Sequence, residues 1–150
     1  MSVKTIPDGY HSVNAYLVVP GVAQLIDFLI QAFEAEETER MSRPDGAVMH
    51  AEVRIGDSTI MMGEPMGGDW KAMPCALYLY IEDVDAAYHR AVAAGATSVM
   101  EPADQFYGDR NATVRDASGN MWCIAAHKED VAPEELQRRA EEAMKKRAST

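Results

Sequence analysis

Cysteine, positive charge and long apolar runs are all scarce in this chain, and each shortage closes off a class of function. Cys75 and Cys123, the two cysteines in 150 residues, make no disulfide framework, and their separation matches no zinc spacing. Fourteen Lys and Arg stand against 24 Asp and Glu, for a formal net charge of −10. Phosphate backbones and anionic bilayers are held mainly by Lys and Arg, so neither nucleic acid nor a membrane is an expected partner. The positive charge that exists gathers in "QRRAEEAMKKRAST", where it alternates with glutamate as on a solvated helix. No stretch approaches the ~18 apolar residues of a membrane span, and "MSVKTIPDGYH" lacks the apolar centre of a signal peptide. The expected address is therefore the cytoplasm. No strand-like run leads into a glycine-rich nucleotide loop, and the one glycine cluster, Gly63 to Gly68, lies in a linker.

With 47% hydrophobic residues, the chain suits one globular domain or two small modules sharing a core. "VNAYLVV" (13–19) is strand-like, and Val22, Leu25, Ile26, Leu29 and Phe33 recur as one apolar stripe of a helix. "EETERM" (36–41) is a short strand. "MHAEVRI" (49–55) and "STIMM" (58–62) flank Gly56-Asp57 as a hairpin. "GEPMGGDWKAMP" (63–74) breaks the pattern as a linker or mobile loop. The order then recurs. "CALYLYI" (75–81) is a strand, and Asp83 caps a helix carrying Val84, Ala87, Tyr88 and Ala91 that Gly95 ends. "TSVM", "NATVR" and "MWCIAA" follow as strands, the last two joined by a turn through Asp116 to Asn120.

Sliding the chain by 62 residues lays Tyr16-Leu17 on Tyr78-Leu79, Gly56-Asp57 on Ser118-Gly119, and Met61 on Cys123. The agreement in element order predicts an α+β fold of two tandem βαβββ modules, 6–63 and 75–130, joined by a linker over 64–74. The modules supply eight strands, most of them antiparallel. Residues 131–150 add a C-terminal helix and tail, with Pro133 in its first turn, acids at its start and Lys145 to Arg147 at its end. Within the last hairpin Asp116, Ser118, Gly119 and Asn120 read as turn chemistry rather than as a site.

Paired βαβββ modules, "YLYIEDVDAAYHRAVAAGA" and "DASGNMW" resemble the vicinal oxygen chelate superfamily of glyoxalases, bleomycin-resistance proteins and extradiol dioxygenases. "GYHSVNAYLVV", "MHAEVRIGDSTIMM" and "PADQFYGDR" narrow the resemblance to its PhnB-like branch. It covers roughly residues 6 to 130. It implies half-barrels with helices outside and a ligand cleft inside, and a homodimer whose modules pair within a chain or swap between chains. Metal-dependent members carry one ligand on the first and one on the last strand of each module. Those positions fall here on Asn14, Met61, Ala76 and Cys123. Ala76 has no donor atom, and the Met61 thioether is a poor ligand for hard divalent ions. No metal is expected at this quartet, and no cofactor is expected. A demethylubiquinone-methyltransferase-like label attached to some PhnB-like proteins implies a nucleotide loop that this sequence lacks.

Strand alternation assigns faces. Val13, Ala15, Leu17 and Val19 fall under the helix, which turns Asn14, Tyr16 and Val18 into the cleft. The same parity turns Tyr78 and Tyr80 inward, sets His50, Glu52 and Arg54 on one face of their strand, and leaves Met61, Met121 and Cys123 lining the cleft. Such a wall suits a small, partly aromatic or carbonyl-bearing molecule. His50 and Glu52, ~7 Å apart at their α-carbons, can touch. Together they are the candidate acid/base pair, with a divalent ion outside the usual quartet as an open alternative. Cys123 has no base placed beside it and reads as lining. In "FYGDR", Gly108 permits a tight turn presenting Tyr107 and Arg110 at the cleft edge, where Arg110 either clamps a ligand carboxylate or pairs with Asp109 or Asp104. His89 reads as solvated, and His127 as lying past the pocket mouth.

Three functions compete. The first is a small-molecule binding protein of the bleomycin-resistance type, with ligand contacts from Asn14, Tyr16, Arg54, Met61, Tyr78, Tyr80, Tyr107, Arg110 and Cys123. The second is a lyase or isomerase that uses His50 and Glu52. The third is a regulatory or interaction module with a vestigial cleft.

Overall fold

The computed structural model describes residues 2–149, so the outermost residues of the expected division, 1 and 150, lie outside it. The element order is that of a duplicated module. Module one runs β1 (Tyr16–Val18), α1 (Val22–Phe33), β2 (Glu36–Ser42), β3 (Val48–Ile55) and β4 (Ser58–Gly63). Module two runs β5 (Ala76–Tyr80), α2 (Val84–Ala93), β6 (Thr97–Asp104), β7 (Asp109–Arg115) and β8 (Met121–His127), and α3 (Pro133–Ala148) closes the chain. The sheets are separate, with equivalent strand orders β1-β4-β3-β2 and β5-β8-β7-β6. The first strand of each module joins the last in parallel, and the other pairings are antiparallel.

The apolar stripe of α1 does what its spacing predicts: Val22, Leu25, Ile26, Leu29 and Phe33 are all buried. Asp83 caps α2 by accepting from Ala86 N at 3.0 Å. Helix α3 begins at Pro133 with Glu134 and Glu135 in its first turn and Lys145 to Arg147 in its last, and none of its described residues is buried. It is tied down by Arg139, which donates to Phe106 O at 3.1 Å and to Glu129 at 2.5 Å.

Alternation holds on β3 and β8. Ala51, Val53 and Ile55 are buried against the helices, as are Trp122 and Ile124. It fails at the start of β1. Val13 is 89% exposed, and the strand begins only at Tyr16. The cause is local: Asn14 Oδ1 accepts from His11 N and its Nδ2 donates to His11 O, which closes a turn and keeps 11–14 out of the sheet. The linker is less loose than its glycines suggest. Met73 pairs with Val18 across the free edge of β1, and a tight turn joins Gly67 to Trp70.

The modules meet through helices and one aromatic contact. Arg90 Nε donates to Ala32 O, and Ser118 Oγ to Pro20 O. Trp122 of β8 packs its ring 5.3 Å from that of Phe33. Trp122 is in turn held by Asp116, a buried carboxylate that accepts from Trp122 Nε1, Asn120 Nδ2, Asn120 N and Ser118 N at 2.8–3.0 Å. This last hairpin is therefore structural, as its residue types predict.

Asp116→Ala should strand at least two buried donors, at about 1–3 kcal/mol each. The expected result is a Tm lowered by about 4–24 °C in a circular-dichroism melt. A fall under about 2 °C would show that the hairpin stands without this carboxylate.

Candidate functional site

Register fixes which side chains share the concave face of each sheet. In module one Tyr16 lies opposite Met61, Met61 opposite Glu52, and Glu52 opposite Glu39, making one row across four strands. In module two the row is Tyr78, Cys123, Thr113 and Met100. Tyr16 with Tyr78 and Met61 with Cys123 keep the 62-residue offset. The third strand does not: Glu52 matches Thr113, 61 residues on, because the turn of the second hairpin is one residue longer. His50 is therefore equivalent to Asn111. The two modules carry the same contact at this place, with Tyr16 Oη 3.0 Å from His50 Nδ1 and Asn111 Nδ2 donating to Tyr78 Oη at 3.3 Å.

Around His50 the site is polar and acidic. His50 Nε2 lies 2.6 Å from Glu52 Oε2, and Tyr10 Oη donates to Glu52 Oε1. Burial pushes the Glu52 carboxyl above the usual carboxylate range. Tyr16 reaches His50 across Gly63, where an added Cβ would stand 3.0 Å from the phenol oxygen and 2.6 Å from Met49 O, so only glycine fits. Trp70, from the linker, covers the outer side of Tyr16 with ring centroids 6.4 Å apart.

Around Asn111 the site is aromatic. Asp109 is buried and accepts from Tyr78 Oη at 2.5 Å and from Tyr80 Oη at 3.4 Å, while its other oxygen meets His127 Nδ1 at 2.8 Å. Burial opposes ionisation of Asp109, but the bonds from Tyr78 and His127 outweigh it and hold the carboxyl below its ordinary range. Burial and the Asp109 bond push the Tyr78 phenol well up. His127 sits between two carboxylates, Asp109 and Asp130, whose hydrogen bonds raise its pKa. Asn111 also donates to Tyr107 Oη at 2.7 Å, and its Oδ1 is buried without a partner.

The structure gathers Tyr16, His50, Glu52 and Met61 on one face, and Tyr78, Tyr80, Tyr107 and Cys123 on the other. Three expected contacts are not brought in. Asn14 spends both ends of its amide on His11 and lines the cavity between the modules instead of the face of Tyr16. Arg110 turns to the helix side, where its fork takes Asp85 at 2.8 Å twice and Asp104 at 3.2 Å. Arg54 lies beside Gly9 of the N-terminal segment. Asp109, Asn111 and His127 are the additions. The β7 parity that sets Asp109, Asn111 and Thr113 on one face was readable from sequence. A cavity of about 710 Å³ lies between the modules, lined by the 11–15 segment, the β3–β4 hairpin and β5, and it reaches Tyr78 and Tyr80 but not His50 or Glu52.

Residues 10–124 match the family model of the Glyoxalase/Bleomycin resistance protein/Dioxygenase superfamily. The chain belongs to that superfamily. Uncharacterized proteins of Mycobacterium bovis and Mycobacterium tuberculosis are 36% identical to it over 136 residues, covering 84% of this chain and 90% and 80% of theirs. Among solved structures, TioX from Micromonospora sp. ML1 superposes with a TM-score of 0.63 at 22% identity, over 81% of this chain and 100% of its own. A Bacillus cereus structure described as a putative 3-demethylubiquinone-9 3-methyltransferase, PhnB protein, gives 0.62 at 17% identity, over 77% and 99%. Both share the fold.

The superfamily's metal-ligand positions do not fit an ion here. Asn14 is committed to its own turn, Met61 offers a thioether, Ala76 has no donor, and burial pushes the Cys123 thiol up, away from the thiolate that binds metals.

A raised His127 pKa in the folded chain means that protonated His127 stabilises it fully below the unfolded value near 6.5 and that this stability is lost as pH rises through the folded pKa. His127→Gln should therefore flatten the fall in Tm between about pH 6 and pH 9. Identical pH profiles for the two proteins would rule this out.

Proposed function

We propose that this superfamily member binds a small, partly aromatic or carbonyl-bearing molecule against its concave faces, as a cytoplasmic homodimer and without a metal at Asn14, Met61, Ala76 and Cys123. The observation that carries the reading is the pair of matched half-sites, each a phenol bonded to a polar residue on the third strand of its sheet. Both faces stand open. Tyr16, Tyr78, Tyr80 and Trp70 are 41–63% exposed, aromatic surface that a ligand and a second copy would cover. The outer edge of β5 faces the cavity rather than a strand, an edge of the kind that partners cover.

Light scattering of the purified chain at micromolar concentration should give the mass of a dimer, and a monomer would refute the assembly. A thermal-shift screen of aromatic and carbonyl compounds should find stabilising ligands. Tyr78→Ala should weaken the hits by ~1–3 kcal/mol through lost aromatic burial. Undiminished affinity in that variant would place the ligand elsewhere.

A second reading, a lyase or isomerase, is favoured by one contact, the 2.6 Å bond between His50 Nε2 and Glu52. An imidazole held by a phenol on one nitrogen and a carboxylate on the other is arranged for proton transfer. Hits that are converted, as read by mass spectrometry, should lose ~100-fold or more in turnover with His50→Ala. Unchanged ligands in the wild-type incubation would return the protein to the binding class.

A further inference from the structure

We propose that Glu39, His50 and Glu52 bind one divalent transition-metal ion on the concave face of module one, at a place unrelated to the quartet of first and last strands. One donor atom from each residue lies within 4.8 Å of the other two. Bonds of about 2.0–2.2 Å place neighbouring donors roughly 3 Å apart, which side-chain rotation reaches from this set.

Two independent features build the site. The first is a β-bulge. Glu36 and Glu37 pair with Arg54 and Val53, but the register then slips, and Glu39 instead of Thr38 stands opposite Glu52. The extra residue re-aims the strand, as bulges beside functional sites do. The slip turns a second carboxylate onto the face of His50 and Glu52, and the bulged Thr38 is anchored by donating to Glu52 O at 3.2 Å. The second is the outer layer. Tyr16 Oη takes His50 Nδ1, and Tyr10 Oη takes Glu52 Oε1. Each phenol occupies the far atom of its partner and leaves Nε2 and Oε2 turned toward one another. Outer-shell partners of this kind fix ring orientation in metal-bound histidines.

The charge is also uncompensated. Two carboxylates meet a single imidazole, and no lysine or arginine ion pair to Glu39 or Glu52 is present among the described residues. A dication would replace the Nε2–Oε2 bond and neutralise both acids. The other histidine with two carboxylates has the wrong geometry, since Asp109 and Asp130 sit on opposite nitrogens of His127 and do not converge on one point.

One imidazole and two carboxylates, with no thiolate, suit Mn²⁺, Co²⁺, Ni²⁺ or Zn²⁺ better than soft Cu⁺. Three protein donors from adjacent strands leave coordination positions open toward the face lined by Tyr16, where an ion would polarise a ligand carbonyl. That role rests on the ligand reading above; the binding of the ion does not.

The test uses the full chain, freed of any histidine tag and stripped with chelator, and titrates it with Co²⁺ alone, followed by calorimetry and by visible absorption. Saturation at one ion per chain is expected. His50→Ala, Glu52→Gln and Glu39→Gln should each weaken binding by ~10-fold or more, and Tyr16→Phe by ~10-fold through the outer layer. His89→Ala, on the exposed side of α2, should leave it unchanged. No saturable binding, or full affinity in His50→Ala, overturns the proposal. Where a variant at buried Glu52 loses its fold, Glu39→Gln on the exposed edge strand decides, and full affinity there overturns it. Because no organic ligand is present, a failed ligand screen with intact Co²⁺ binding sinks the function reading and leaves the ion site standing.

Discussion

One buried carboxylate organises the union of the two modules. Asp116 accepts four hydrogen bonds, and the one from Trp122 Nε1 fixes the orientation of the largest fully buried side chain in the protein. Trp122 then lies against Phe33, the last residue of α1, so the final hairpin of module two sets the position of the helix of module one. Ser118, in the same turn, reaches across to Pro20. Burying a charge is costly unless every lone pair is used, and Asp116 uses all of its capacity within six residues of chain. Phe33 and Trp122 then form part of the lining of the cavity between the modules, beside β5.

Duplication sets where chemistry can sit, and divergence decides what it is. The matched rows give each module a phenol on its first strand and a sulfur side chain on its last. On the third strand the equivalence His50–Asn111 and Glu52–Thr113 separates the halves into an acidic, titratable face and a neutral one. The module-two face is neutral only in that row: its acid, Asp109, sits on the far side of Asn111, bonded to two phenols and a histidine.

The fold was legible because its signals are periodic. The stripe of α1, the cap at Asp83, the alternation in β3 and β8, the start of α3 at Pro133 and the 62-residue repeat all depend on regular spacing, which sequence displays directly. The His50–Glu52 contact was legible for the same reason, since parity alone places the two side chains together. What stayed hidden depends on departures from regularity. Asn14 leaves the strand because its amide matches a backbone turn, a competition that period-2 reasoning does not register. Glu39 reaches the site through a bulge, and Tyr10 through an irregular N-terminal segment. Arg110 shares the helix-side parity of Ala112 and Val114, which becomes legible once the strand is extended back from Asn111 to Asp109.

Asn111 Oδ1 apart, the polar groups around Asn111 are already engaged, and this would limit what the proposed ligand could gain from them. Tyr78 donates its proton to Asp109, Asp109 is further occupied by Tyr80 and His127, and Asn111 gives both amide hydrogens to phenols. A ligand that displaced any one of these bonds would have to replace it, at a net gain of about 1 kcal/mol or less. Aromatic surface is different. The exposed faces of Tyr16, Trp70, Tyr78 and Tyr80 have water as their present neighbour, and covering them yields about 25 cal/mol for each Å² removed from it. A ligand of the kind proposed above would therefore draw its affinity mainly from the rings, which the hydrogen-bonded network beneath them holds in place.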